Sequence, residues 1–107
     1  AGTARRSVSR RAVVYLQLAR RDLREIRDYI KKDDPAGARA WIDRIDRALA
    51  RLAKFPESGS VPKDELLAAR GYRVVIIGEY LAFYLFRRNR VEIRRVLHGK
   101  RRYGFLL

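Results

Sequence analysis

His98, Lys100, Arg101, Arg102 and Tyr103 stand within six residues of one another in the closing stretch VLHGKRRYGFLL. His98 is the chain's one histidine. An imidazole with an unperturbed pKa of about 6.5 takes or gives a proton at neutral pH. The cations neutralise phosphates, and Tyr103 and Phe105 suit stacking on unpaired bases. Metal-free cleavage of RNA needs a base for the 2′-hydroxyl, a cation for the crowded phosphorane and an acid for the leaving 5′-oxygen. His98 or Tyr103, with Arg73 and Arg101, form the smallest such catalytic set. DNA lacks the hydroxyl, so the same groups could not cut it this way.

Arg95, Lys100, Arg102 and Phe105 are the expected nucleic-acid contacts. Arg95 falls where the last strand breaks its alternation. Val91 and Ile93 point one way and Glu92 and Arg94 the other, after which Arg95 lands on the apolar side. A bulge that re-aims the strand accounts for this, and so does an arginine set beside a groove. Other chemistries find little footing. One His and no Cys leave only carboxylates for a metal, and no helix clusters acids inward, so neither metal nor cofactor is expected. Gly78, Gly99 and Gly104 form no phosphate-cradling loop, and the few serines lie in flexible segments.

These groups must be positioned by a domain that can fold. The 107 residues are 48% hydrophobic, enough for one domain with a modest core. The formal net charge is +14 and unevenly spread. Residues 19–70 carry 13 basic and 10 acidic groups, whereas residues 71–107 carry 9 basic and 2 acidic. An anionic partner, nucleic acid or acidic protein, is expected at the C-terminal third. The absence of Cys fits a reducing cytoplasm, and no apolar run reaches the roughly 18–20 residues of a membrane span. Residues 1–11, with four arginines and no apolar run behind them, read as a flexible basic arm before a single domain over 12–107.

Ala12–Leu18 reads as a strand. Ala19, Leu23, Ile26 and Ile30 then recur at helical spacing, with Arg20, Asp22, Arg24, Arg27 and Lys31 assigned to the other faces. Asp34-Pro35 restarts the chain as a capped helix carrying Ala38, Ile42, Ile45, Leu49 and Leu52. The two form an αα-hairpin that ends at KFPESGSVP. From Tyr72 the period shortens. Tyr72–Ile77, Tyr80–Phe86 and Val91–Leu97 read as three antiparallel strands, with Gly78-Glu79 suited to a type II′ turn. The nearly apolar middle strand belongs at the centre, covered on both faces. The fold class is α+β: an N-terminal strand and an αα-hairpin packed on one face of a small twisted antiparallel sheet, the other face left free for function.

YLQLARRDLREIRDYI, DDPAGAR, LAKFPESG, GYRVVIIGEYLAFY and VEIRRVLHGKRRYGFLL, in that order over roughly Val13 to Leu107, resemble the RelE/ParE superfamily of toxins from type II toxin–antitoxin modules. The resemblance implies an acidic antitoxin that folds along the toxin and blocks it. It also implies one of two targets. RelE-like members cut mRNA in the ribosomal A site without a metal, and ParE-like members poison DNA gyrase and cut nothing. Arg73 after Tyr72, and basic residues ahead of Tyr103, resemble the nuclease branch, which is the reading preferred at this level. The long helices and the DP…AR…FPESG hairpin resemble the gyrase branch. Many relatives place an acid after HGKR, where this chain has Arg102. Outside the superfamily, the same cations would suit a passive nucleic-acid-binding module, or serve only to dock the antitoxin.

Overall fold

A computed structural model describes residues 11–99. Strand β1 (Ala12–Tyr15) leads into helix α1 (Gln17–Lys31), then α2 (Pro35–Ala50), a 3-10 turn over Arg51–Ala53 and a short helix α3 (Glu65–Ala69). Strands β2 (Arg73–Ile77), β3 (Tyr80–Phe86) and β4 (Arg90–His98) complete the order. The α2 start follows the expected chemistry. Asp34 Oδ1 accepts the Gly37 N–H at 2.9 Å, and Pro35 occupies the first turn, where no N–H is needed. Helix α3 escaped the sequence reading. Its cap is also an aspartate, Asp64, which accepts the amides of Leu66 and Leu67.

The sheet runs β1-β4-β3-β2. β2, β3 and β4 form the expected antiparallel meander, turning between β2 and β3 at Gly78-Glu79. Gly78 has φ +60 and no described non-glycine residue has positive φ, as a type II′ turn requires. The turn also admits no larger residue, because a Cβ at Gly78 would stand 2.3 Å from the Trp41 ring. The N-terminal strand extends this meander: β1 joins β4 in parallel, Val13 opposite Val91, so the four-stranded sheet is mixed. Helices α1 and α2 span the crossover that a parallel neighbour demands.

Cross-strand partners share a face. Ala82, Tyr84, Val91, Ile93 and Val96 turn toward the helices, where Ala19, Ile45 and Leu49 bury the main core. Val74, Phe83 and Leu97 turn the other way and pack with Leu67 of α3 and Tyr72 into a second cluster. The second face is therefore partly covered rather than wholly free. β3 is central and feeds both clusters, as its apolar composition requires. The register shifts between Phe83 and Tyr84: Ile93 faces Tyr84 and Arg95 faces Phe83, leaving Arg94 as the extra residue of a β-bulge. No helix of the described residues is long and apolar enough to cross a membrane.

Candidate functional site

Arg73 opens β2 on the helix-side face, beside Tyr84. Its Nη1 donates to the carbonyls of Glu57 and Gly59 at 3.1 and 3.0 Å. The Tyr84 hydroxyl completes the grip, donating to Pro56 O at 2.6 Å and accepting the Gly59 N–H at 3.0 Å. Burial raises the pKa of this phenol, so it stays a neutral donor. Gly59 lies so close that a Cβ would approach the hydroxyl to 2.6 Å. Arg73 and Tyr84 together hold the FPESG segment against the sheet. The guanidinium expected to meet a phosphate instead binds two backbone carbonyls.

His98 ends β4 opposite Tyr80, itself opposite Ile77. Its Nε2 lies 3.1 Å from Glu79 Oε1, and its ring meets Tyr80 edge-on at 5.6 Å. Tyr80 in turn meets Trp41 edge-on. A hollow of about 370 Å³ opens here, lined by Asp22, Glu25, Tyr29, Glu79, Tyr80 and His98 among others. Burial, with Glu79 adding to it, raises the Tyr80 pKa. Among the described residues, three carboxylates line it, of which Asp22 is already paired with Arg95.

Four β2 residues, about 13 Å of strand, and two strand spacings separate the Arg73 position from that of His98. The structure thus sets the two at opposite ends of the ladder and does not unite them in one cleft. Arg101 and Tyr103, the other members of the expected catalytic set, lie outside the described residues, as do Lys100, Arg102, Phe105 and most of the N-terminal arm. Among the described residues no group of His and carboxylates could hold a metal ion.

Arg95 departs from its expected role. Nε and Nη2 grip both oxygens of Asp22 on α1 at 2.7 and 3.0 Å, and Asp22 Oδ2 also accepts the Val96 N–H at 2.9 Å. The hydrogen bond to Asp22 pushes the Arg95 pKa still higher than its usual value. β1 stops beside Ile93, so Asp22 caps the edge of β4 where that strand has ended. This pair fastens α1 to the sheet. A phosphate at Arg95 would have to compete with a bidentate carboxylate.

The feature that the sequence reading passed over is Glu92, 3% exposed, on the second face. Arg90 donates through Nε at 2.8 Å and through Nη2, Arg94 Nη1 lies at 3.2 Å, and Arg87 Nε at 3.4 Å. The Arg90 hydrogen bond, opposed by burial, holds the Glu92 carboxyl below the usual range. The signal was present in the alternation, since Arg90, Glu92 and Arg94 are two apart on one strand.

Comparison with known proteins joins this geometry to a family. Residues 13–103 match a family described as ParE toxin of type II toxin-antitoxin system, parDE. The chain is 32% identical over 102 residues to the putative toxin Y4kP of Sinorhizobium fredii, spanning 94% of this chain and 100% of that one. It is 33% identical over 89 residues to toxin RelE2 of Caulobacter vibrioides, spanning 83% and 96%. A solved chain from the chromosomal ParDE system of P. aeruginosa superposes with a TM-score of 0.72 at 17% identity, covering 84% of this chain and 97% of that one. At that identity the likeness concerns the fold.

Proposed function

For a chain that belongs to the ParE toxin family, within the RelE/ParE superfamily of type II toxin–antitoxin toxins, we propose that growth is arrested in the ParE manner, by inhibition of DNA gyrase without nuclease activity. The observation that carries this reading is the engagement of Arg73 by the Glu57 and Gly59 carbonyls, a ladder's length from His98. A nuclease needs its phosphorane cation beside its acid or base. Here Arg73 of β2 serves the FPESG segment, and His98 lies against the Glu79 carboxylate.

A cognate antitoxin is the natural counterpart of a chain with net charge +14. We propose an acidic one that folds along the toxin, with electrostatic attraction speeding the encounter. The second reading, ribosome-dependent mRNA cleavage, draws on the similarity to toxin RelE2. It assigns proton transfer to His98 or Tyr103 and phosphate stabilisation to Arg73 and Arg101, with Arg73 released from its carbonyls on the ribosome.

Two assays on the purified chain separate the readings. Supercoiling by gyrase should fall with added toxin while transcripts in a translation extract keep their full length. Truncated transcripts beside undiminished supercoiling would replace the gyrase reading with the nuclease.

A further inference from the structure

The β3–β4 hairpin, residues 80–98, contains five arginines and a single acid, Glu92. Neutralising one buried carboxylate takes one guanidinium. Here three converge, Arg87, Arg90 and Arg94, leaving a local surplus of two positive charges. Their side chains remain 60%, 47% and 35% exposed, so each has N–H groups turned to solvent. Arg94 joins by strand alternation, two residues on from Glu92, and is itself the extra residue of the bulge. Arg11 extends the group: its Nε donates to Arg87 O at 2.9 Å and its guanidinium lies 6.0 Å from the Phe86 ring centroid.

Long arginine side chains lose rotamer entropy when fixed. A carboxylate that already fixes them lowers the cost of binding an anion later. We propose that Glu92 organises Arg87, Arg90 and Arg94 into a site for the phosphodiester backbone of a nucleic acid. The chemistry of the turn favours this ligand over an acidic protein segment. Arg87, Arg88, Asn89 and Arg90 are all exposed and contribute no apolar side chain. A protein partner is anchored through desolvated apolar or aromatic pockets, whereas a sugar–phosphate chain asks only for fixed donors. The site is distinct from the hollow at His98 and from the expected C-terminal cations. It stands whether gyrase or the ribosome is the target, since either presents nucleic acid.

The test measures affinity of the full chain for a short mixed-sequence DNA duplex and a short mixed-sequence RNA strand across a salt series. Arg87, Arg90 and Arg94 are replaced together by alanine. A control removes equal charge from the exposed helix arginines Arg24, Arg39 and Arg47. The hairpin variant should bind about tenfold more weakly and flatten the log–log salt slope by about 2–3 units, while the control stays near the parent. Weakening confined to the duplex or to the RNA identifies the source of the backbone. Equal losses in both variants would mean diffuse attraction and overturn the site. So would a hairpin variant that keeps both probes but no longer binds an acidic peptide. Glu92→Gln adds charge yet releases the array, so the proposal requires weaker binding from it; tighter binding refutes the organising role. Neither gyrase nor ribosome is present, so this assay and the functional one can fail separately.

Discussion

Asp22 and Glu92 are both buried carboxylates, 5% and 3% exposed, and both meet arginines of β4, yet their surroundings differ in kind. Asp22 faces one guanidinium and one backbone N–H, and each oxygen is matched. Both oxygens of the carboxylate are engaged, as suits a fastening between helix and strand. Glu92 faces three guanidinium groups that remain partly open to solvent. The same residue types make a closed joint in one place and an open, charged surface in the other. Stoichiometry and exposure, more than the mere presence of a salt bridge, separate structural from interactive charge.

The comparison breaks most visibly at the joint. Asp22→Ala should cost about 3–5 kcal/mol in urea unfolding, because it strands the Arg95 guanidinium and the buried Val96 amide together. A loss below about 1 kcal/mol would place Asp22 among ordinary surface ion pairs. Glu92→Gln should cost less, about 1.5–3 kcal/mol at neutral pH, the range for hydrogen bonds to charged groups. Its cost should also depend on pH. The folded-state pKa of Glu92 is depressed, so its contribution is fully present above the unfolded value near 4.5. The contribution drains as pH falls from there to the folded value, and the gap between parent and variant should close over that window. A gap independent of pH would mean that shape, not charge, holds the site.

Arg87→Ala sharpens the contrast at the small end. With Arg90 and Arg94 still on the carboxylate, thermal unfolding should move by no more than about 0.5 kcal/mol. A large loss from Arg87→Ala would show that the three arginines act as a joint after all.

Much of the fold was legible because local chemistry dictates it. The helical stripes, the Asp34-Pro35 start and the Gly78 turn follow from periodicity, capping and backbone freedom. The misplaced Arg95 left a bulge and an arginine beside a groove equally open, and the strand has the bulge, with Arg94 as the extra residue. The parallel docking of β1 was hidden, since four residues cannot state which distant strand they will join. Helix α3, five residues long, is too short for a periodic signal. Asp22 was assigned to the solvent side, although it stands one turn from Ala19 on the edge of the buried stripe. The contacts of Arg73 were hidden for another reason. Its partners are carbonyl oxygens, which every residue possesses and no composition reveals.

The pairing of the first strand with the last also sets a clock on synthesis. Asp22 and Val96, joined through a single hydrogen bond, are 74 positions apart, and β1 runs alongside the same final strand. An emerging polypeptide gains these contacts only after β4 has left the ribosome, and until then its early strand has no neighbour to lie against. The sheet of this toxin therefore closes late, when β4 arrives to lie between β1 and β3.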